Sequence, residues 1–245
     1  MNLILLEAGE LGAGGHATLS GRRAVHLIDV LHVAAGHEIR VGVVGGPRGI
    51  AVVESIDAAT VTLQCTFEVE VPPWPKVDLL LAVPRPKVMR RLWAQVAALG
   101  VGQIILTNAE KVERNYFDTH ILAPETYRPL LIEGLQQARD TRLPGVSVHR
   151  QFKPLVEDHL DALVEEGLRV VADPSSTSPV GDVVRESRKE RILLAVGPEG
   201  GWNAFELRLL SAHGFQSVGM GPRTLRTDTA CVALLALAHD AIRSG

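Results

Sequence analysis

The first 71 residues alternate between short apolar runs and turns rich in polar residues and glycine. Runs rich in valine, isoleucine, leucine and threonine predict β-strands, because these side chains suit a half-buried pleated surface. One longer segment, residues 21–31, predicts a helix that Ser20 is placed to cap. Strands this short and evenly spaced favour a small β-barrel. The predicted strands are residues 3–6, 17–19, 38–43, 50–53, 61–65 and 67–71.

A proline-rich segment at residues 71–75 ends this pattern. Three of its five residues are proline, which continues neither a central strand nor a helix. We therefore place a domain boundary here. The boundary separates an N-terminal domain at residues 1–72 from a C-terminal domain at residues 76–245.

From residue 77 onward, unbroken apolar runs alternate with segments of helical periodicity. Such runs predict strands buried on both faces, so the pattern favours an α/β domain with a parallel sheet covered by helices. The helix at residues 87–99 ends at Gly100, a residue suited to a helix C-terminus. Strands are predicted at residues 77–83, 103–107, 169–172, 192–196 and 217–220, and further helices at residues 124–140, 155–166, 204–213 and 227–242.

Composition excludes several classes of protein. Apolar residues make up 46% of the 245 and charged residues 22%, which is typical of a folded globular chain rather than a disordered one. The longest apolar run, residues 230–238, is far shorter than the roughly 20 residues that cross a bilayer, so we expect no membrane span. Glu7 interrupts the first apolar run, which argues against a signal peptide. Cys65 and Cys231 lie in apolar segments, and we expect reduced core thiols in a cytoplasmic protein.

Charge is distributed unevenly, although the net charge is only −3. Residues 76–153 carry 12 basic and 7 acidic side chains, whereas the segments on either side are acidic. A basic run opens the helix at residues 87–99, where the helix dipole and mutual repulsion both disfavour cations. This run is either a solvated helix face or a surface for nucleic-acid phosphates. It consists of Arg85, Lys87, Arg90 and Arg91.

Common catalytic and metal-binding motifs are absent from the sequence. It contains no Walker A loop, no G-x-S-x-G elbow and no H-E-x-x-H. The nine histidines show no i, i+4 pair and no cysteine at a ligand spacing, so we expect no metal. No G-x-G-x-x-G follows the first strand of the second domain, which argues against an NAD-dependent oxidoreductase.

Two glycine-containing loops follow predicted strands of the second domain, where α/β sheets bind their ligands. The first, residues 196–202, reads Val-Gly-Pro-Glu-Gly-Gly-Trp, and its glycines would let a ligand approach the backbone. The second, residues 220–230, leads into the last helix and places Arg226 at the helix N-terminus. The helix dipole disfavours a cation there by about 0.3–1 kcal/mol. We therefore expect Arg226 to face an anionic partner, either a ligand or Asp228.

Together these loops resemble the paired signature loops of the ribosomal RNA small subunit methyltransferase E family. Its members are knotted methyltransferases of the SPOUT superfamily that methylate N3 of a uridine in 16S ribosomal RNA. The similarity covers essentially the whole chain. It includes residues 26–31, 85–87, 99–101, 113–114 and 142–144.

The resemblance implies a PUA-like small β-barrel that binds RNA, followed by a SPOUT α/β domain with a C-terminal trefoil knot. It also implies S-adenosyl-L-methionine as the cofactor, a homodimer, and 16S rRNA or the small ribosomal subunit as the substrate, without membrane or metal. The family's cofactor loops correspond to Asp173, Pro174, Gly197, Pro198, Glu199, Gly200, Gly201, Met220, Gly221 and Leu225.

Roles in catalysis and RNA binding follow from the resemblance combined with the charge pattern. Arg226 is the expected catalytic residue, because a guanidinium would stabilise the negative charge that spreads over the uracil oxygens when N3 loses its proton. Glu199 and Asp228 are candidates for the general base. The expected RNA-binding residues are Arg22, Arg23, Arg85, Lys87, Arg90, Arg91, Arg114, Arg139 and Arg142.

The sequence also departs from the family pattern. His32 stands where the family usually has arginine, and residues 136–140 read Gln-Gln-Ala-Arg-Asp in place of Glu-Gln-Ser-x-Arg. The changes fall on RNA-facing positions more than on the cofactor loops. An alternative function is therefore a catalytically weakened family member that still binds RNA.

Overall fold

The computed structural model describes residues 3–164 and 166–244. Residues 1, 2 and 245 of the predicted domains, and residue 165 of the predicted helix 155–166, lie outside the described residues. The chain divides into two compact units, Met1–Pro73 with Leu135–Leu143, and Trp74–Gly134 with Pro144–Gly245. The sequence-based division assigned residues 135–143 to the second domain, whereas the structure groups them with the first.

The first unit is built on a mixed sheet. Its strands are β1 (Ile4–Leu6), β2 (His16–Ser20), β3 (Glu38–Val43), β4 (Arg48–Ile56) and β5 (Thr60–Phe67). In the described part of this unit they pair in the order β1-β3-β4-β5-β2. The β1–β3 pair is parallel, the other pairs are antiparallel, and the β4–β5 register shifts between Val53 and Ser55. Alternate side chains such as Val41 and Leu63 are fully buried, as the period of two along a strand requires.

Two details of the first unit differ from the sequence-based expectation. The helix at residues 21–31 is confirmed as α1 (Gly21–Val25), which continues into a π-helical turn at His26–Val30, but Ser20 makes no side-chain capping bond. The strand predicted at residues 67–71 is wrong, because β5 ends at Phe67. Val69 is 99% exposed, and the prolines that follow cannot donate hydrogen bonds to a neighbouring strand.

Residues 135–143 join the first unit through backbone hydrogen bonds. The Leu3 amide donates to the Gln136 carbonyl (3.0 Å), and the Gly45 amide donates to the Thr141 carbonyl (2.7 Å). The Thr141 hydroxyl donates to the Gly46 carbonyl (2.6 Å), and its side chain is fully buried. Thr141 therefore satisfies both a donor and an acceptor of the β3–β4 turn, which explains why a segment so distant in sequence belongs to this unit.

The second unit contains a parallel sheet, as the unbroken apolar runs predict. Its strands are β6 (Val77–Ala82), β7 (Gln103–Thr107), β8 (Gly145–His149), β9 (Leu168–Ala172), β10 (Ile192–Val196) and β11 (Phe215–Val218). Among the described residues they pair in the order β11-β9-β10-β6-β7-β8, with every pair parallel. Every residue of β6 and β10 is buried, which is the burial expected of central strands covered on both faces.

The remaining helices are α2 (Pro86–Leu99), α3 (Pro124–Ala138), α4 (Phe152–Pro154), α5 (Leu160–Leu163), α6 (Val180–Ser187), α7 (Ala204–Ala212) and α8 (Thr227–Ser244). The predicted C-terminus of α2 is confirmed, because Gly100 has φ +83° in the left-handed region that favours glycine. Helix α8 buries Cys231, Leu234 and Leu235 completely. Both cysteines are free and buried, and burial raises the pKa of Cys231 to about 12.

Sequence reasoning missed β8 and α6 and merged the elements near residue 155. Strand β8 lies at the edge of the sheet and is only partly buried, so it lacks the apolar run that marks its neighbours. The predicted helix 155–166 is a π-helical turn at Leu155–His159 followed by α5, which ends at Leu163. Strand β11 begins at Phe215 rather than at residue 217.

Candidate functional site

One cavity of about 200 Å³ lies at the carboxyl ends of β9, β10 and β11, which are neighbours in the sheet. Parallel strands end at the same edge, so the three loops that follow them meet. All ten residues predicted to bind the cofactor line this cavity. The other lining residues are Val196, Trp202, Arg223, Thr224, Thr227 and Ala230, which lie in the two loops recognised in the sequence, and Ala172, Val218, Gly219 and Leu234, which do not.

The loop after β9 is held by Asp173. Its carboxylate Oδ1 accepts hydrogen bonds from the Ser175 amide (2.9 Å) and hydroxyl (2.7 Å), and its own amide donates to the Val218 carbonyl (2.9 Å). The side chain therefore fixes a turn, as aspartate does in many loops. It anchors the first wall of the cavity.

The loop after β10 folds around Trp202. A Cβ added to Gly197 would lie 3.1 Å from the indole ring, so a larger residue here would require the indole to shift. Trp202 is 8% exposed and packs against Phe152, with ring centroids 5.3 Å apart and the ring planes tilted by 33°. Its Nε1 is buried and has no hydrogen-bond partner among the described residues. A buried donor without a partner is costly, so the cavity wall presents a donor suited to a ligand.

Three side chains fix the same loop from outside. The Glu199 Oε1 accepts a hydrogen bond from the Arg85 amide (3.1 Å), and Lys111 Nζ donates to the Gly200 carbonyl (2.7 Å). The buried Glu206 carboxylate accepts from the Asn203 and Glu110 amides, each at 2.7 Å, and completes a capping box at the start of α7. One of the two candidate bases, Glu199, thus also caps the N-terminal region of α2.

The loop after β11 depends on two glycines. A Cβ on Gly219 would lie 2.3 Å from the Ser176 carbonyl oxygen, which ties this loop closely to the loop after β9. Gly221 has φ +94°, a conformation that side chains with a Cβ rarely adopt. Sequence reasoning found Gly221 but not Gly219, because the close approach of the Ser176 carbonyl is visible only in three dimensions.

Arg226 lies at the start of α8, where its carbonyl accepts the first helical hydrogen bond from the Ala230 amide (2.8 Å). Its side chain is exposed and is not among those that line the cavity. Within residues 3–164 and 166–244 it has no ion pair, so of its two expected partners, a ligand or Asp228, the structure excludes Asp228. Asp228 instead accepts from Arg91 Nη2 on α2 (2.7 Å), and this hydrogen bond holds the pKa of the Asp228 carboxyl below its ordinary value.

The predicted RNA-binding residues of the second unit differ in whether their side chains form ion pairs with other residues of the chain. The side chains of Arg85, Lys87, Arg90 and Arg114 are exposed. Arg91 is 57% exposed but is engaged by Asp228. The basic run therefore presents three exposed cations, Arg85, Lys87 and Arg90, while Arg91 reaches Asp228 on α8.

The predicted RNA-binding residues of the first unit are also partly engaged. Arg23 pairs with Glu10 and donates to the Leu5 carbonyl (3.2 Å), and its hydrogen bond lowers the pKa of Glu10. Arg142 donates to the carbonyls of Pro72 and Gly45. Arg22 and Arg139 are exposed, and Arg139 has φ +57°. Arg23 and Arg142 thus stabilise their own unit.

The described residues contain no cluster of histidine, cysteine, aspartate or glutamate that could hold a metal ion. None of the helices traced within them is long and apolar enough to cross a membrane. The cavity itself is lined by backbone groups, apolar side chains, two hydroxyls (Thr224 and Thr227), two carboxylates (Asp173 and Glu199), Arg223 and Trp202.

Comparison with known proteins adds sequence relatives. A family profile described as an RNA methyltransferase domain matches residues 72–239. A protein of Treponema pallidum named ribosomal RNA small subunit methyltransferase E is 33% identical over 98% of this chain and 92% of its own. A protein of Borreliella burgdorferi named ribosomal RNA small subunit methyltransferase E 1 is 25% identical over 95% of this chain and 95% of its own.

Solved structures share the fold. A ribosomal RNA small subunit methyltransferase E from Neisseria gonorrhoeae, crystallised bound to S-adenosyl methionine, has a TM-score of 0.79 at 21% identity, with 98% of this chain and 97% of that chain covered. A probable rRNA-methyltransferase from Porphyromonas gingivalis has a TM-score of 0.77 at 20% identity, with 100% and 99% covered. At these identities the similarity establishes the fold.

Proposed function

The chain belongs to the ribosomal RNA small subunit methyltransferase E family, and from this premise we propose that it transfers a methyl group from S-adenosyl-L-methionine to N3 of a uridine in 16S ribosomal RNA. The observation that carries the proposal is the single cavity in which the loops after β9, β10 and β11 converge. In this proposal the protein acts in the cytoplasm during maturation of the small ribosomal subunit.

The residues of the cavity suit S-adenosyl-L-methionine. Apolar side chains such as Val196, Val218 and Leu234 form part of the wall, which suits an adenine ring. The unpartnered Trp202 Nε1 and the backbone groups of the glycine loops offer polar contacts without a metal. When bound, S-adenosyl-L-methionine supplies a methyl group carried on a positively charged sulfur. The ten predicted cofactor residues would hold it.

The chain's own residues would act on the uracil. The exposed guanidinium of Arg226 has no protein partner among the described residues and is free to bind the oxygens on which negative charge develops as N3 loses its proton. Of the two candidate bases, Glu199 lines the cavity, whereas Asp228 is held by Arg91 and does not. In this proposal Glu199 is therefore the general base that accepts the N3 proton of the uracil.

Family membership and the shared fold also support two finer features of the architecture. In this proposal the first unit is a PUA-like barrel that binds RNA, and the C-terminal part of the second unit forms a trefoil knot. A knot would hold the three loops of the cavity together by threading the chain through itself, which suits a site made mostly of backbone.

The direct test is methyl transfer from radiolabelled S-adenosyl-L-methionine to unmodified 16S RNA and to small subunits, followed by nucleoside analysis. We expect N3-methyluridine at one position. Binding of RNA and of S-adenosylhomocysteine without any methyl transfer would instead indicate the catalytically weakened family member. Thermal stabilisation by NAD but not by S-adenosylhomocysteine would contradict both proposals.

Phosphate binding by α2 is tested by the salt dependence of RNA affinity. Arg90→Ala should weaken binding and reduce the slope of log affinity against log salt by about one, since each lost phosphate contact releases one condensed counterion fewer. Arg91→Ala is less informative because it also breaks the ion pair with Asp228. Arg208→Ala is the control, because Arg208 is an exposed arginine on α7 that belongs neither to α2 nor to the lining of the cofactor cavity. An unchanged slope for Arg90→Ala would show that the run is only solvated.

A homodimer is proposed from the outer face of α8. Leu237 is 43% exposed, the neighbouring Ala236 is exposed and Val232 is half-buried, so an apolar stripe faces away from the core. Light scattering at micromolar concentration should show a dimer, and Leu237→Glu should convert it to a monomer. Ile50→Glu places the same charge on an exposed apolar position of the first unit and should leave the dimer intact. A monomeric wild-type protein would refute this assignment.

A further inference from the structure

A second cavity, of about 310 Å³, lies in the second unit beside the cofactor cavity. It is formed by the loop after β7, by the short helix α4 and by the start of α7. Its lining consists of Asn108, Ala109, Glu110, Val112, Arg114, Phe152, Lys153, Asn203, Phe205 and Glu206. The function proposed above does not use this cavity, although Arg114 at its edge belongs to the predicted RNA-binding residues.

Two side chains give the second cavity a distinct chemistry. The Oδ1 atom of Asn108 is buried and accepts no hydrogen bond from the described residues, which is costly unless a ligand supplies a donor. Phe205 is 49% exposed, so a large aromatic face lies open at the cavity. An unpaired acceptor beside an open aromatic ring matches the edge and the face of a nucleobase.

The lining of the second cavity carries two cations, Arg114 and Lys153, and two carboxylates, Glu110 and Glu206. The Glu206 carboxylate already accepts hydrogen bonds from the Asn203 and Glu110 amides, so the two cations are the groups that can bind a phosphate. Arg114 is exposed and has no ion pair within residues 3–164 and 166–244. Lys153 is 60% exposed and only loosely paired with Glu157, at 3.8 Å. Every nucleotide of an RNA strand carries a negatively charged phosphate, which these cations could bind while the base lies in the cavity.

The two cavities are separated by protein. Their linings share no residue, and the packed rings of Trp202 and Phe152 join their walls, since Trp202 lines the first and Phe152 the second. A base held in the second cavity is therefore walled off from the methyl donor. The occupant cannot be the uridine that is methylated.

We infer that the second cavity binds one unstacked nucleotide of the RNA substrate other than the methylated uridine, and we call it the flanking-base pocket. Phe205 stacks on the base, Asn108 accepts a hydrogen bond from a ring or exocyclic N–H, and Arg114 binds the phosphate. The inference rests on the proposed function and extends it, because such a pocket makes the enzyme read sequence beside its target.

The first test measures affinity for unmodified 16S RNA by fluorescence anisotropy in matched variants. Phe205→Ala should weaken binding about 10-fold, the scale of losing one base–aromatic stack, and Phe205→Tyr should restore it. Asn108→Leu removes the unpaired acceptor at nearly constant volume and should also weaken binding about 10-fold without loss of folding. Arg208→Ala, one turn along α7 and outside the pocket, should bind as wild type does. Affinity for S-adenosylhomocysteine should stay within about twofold in all four variants, since none lines the cofactor cavity.

The second test locates the base that occupies the pocket. Abasic substitutions are scanned through the RNA around the methylated position. In the wild type, loss of one base other than the target should weaken binding, and in Phe205→Ala the same loss should have no further effect, because the two changes remove one contact.

The outcomes separate this inference from the proposed function. Failure of the wild type to methylate RNA would refute the proposed function, while the affinity ratios would still test the pocket. Wild-type RNA affinity in both Phe205→Ala and Asn108→Leu would overturn the pocket and leave the proposed function standing. Micromolar binding of free adenosine or uridine 5′-monophosphate that Phe205→Ala abolishes, with RNA affinity unchanged, would also overturn it in favour of a free nucleotide.

Discussion

Replacing Gly221 with valine should abolish binding of S-adenosylhomocysteine while the protein still folds. Gly221 lies in the loop after β11 with φ +94°, a conformation in which a β-branched residue is strongly disfavoured. No atom lies within 4 Å of the position that its Cβ would take, so the effect comes from backbone strain and not from collision. The loop must relax into another conformation, and the cavity that it lines must change shape. Isothermal calorimetry measures the loss.

Gly214 provides a matched control. It has φ +83°, open space around its Cβ position and a place in the same unit, in the turn between α7 and β11, but it does not line the cavity. Gly214→Val should therefore lower the free energy of unfolding by an amount similar to that of Gly221→Val, yet retain the wild-type affinity. Wild-type affinity in Gly221→Val would show that the loop after β11 does not form the cofactor site, whereas loss of affinity in both variants would show that strain anywhere in the unit abolishes binding.

Short-range sequence patterns predict much of this fold, whereas the remaining elements depend on contacts between residues far apart in the sequence. The apolar runs of β6 and β10 predict buried parallel strands because both faces are covered, and the structure confirms them. The edge strand β8 is half-exposed and carries no such signal. Residues 135–143 join the first unit through Thr141 and the turn at Gly45, almost a hundred positions earlier, and no periodicity encodes that pairing.

The candidate site divides in the same way. The glycines and prolines of the loops after β10 and β11 are recognisable in sequence because sharp turns and close backbone approach require them. Trp202, by contrast, reads as an ordinary aromatic residue until its indole is seen against Gly197 with an unpartnered Nε1. The sequence leaves the partner of Arg226 open between a ligand and Asp228, and only the structure shows that Asp228 is bound by Arg91, a residue of α2 that sequence proximity does not suggest.

Replacing Arg226 with alanine should slow methyl transfer by about 100-fold or more, the scale of losing one donor that stabilises transition-state charge. The structure supports this expectation, because Asp228 is bound by Arg91 and the Arg226 guanidinium is exposed at the positive end of the α8 dipole. At that position a cation opposes the helix dipole by about 0.3–1 kcal/mol. Arg226→Ala should accordingly leave the free energy of unfolding unchanged or slightly higher. A gain in stability with a loss of turnover marks a residue retained for function.

Single-turnover methylation at saturating RNA is the decisive measurement, because it isolates the chemical step from RNA binding. Arg226→Lys should restore little activity, since an ammonium lacks the planar fork that can bind two oxygens. Arg243→Ala, which removes a 78% exposed arginine from the opposite end of the same helix, should react at the wild-type rate. Affinity for S-adenosylhomocysteine should change little in Arg226→Ala, because Arg226 does not line the cofactor cavity. Full single-turnover activity in Arg226→Ala would show that Arg226 is a structural residue. Arg223, which lines the cofactor cavity, would then be the next candidate for the group that stabilises the uracil.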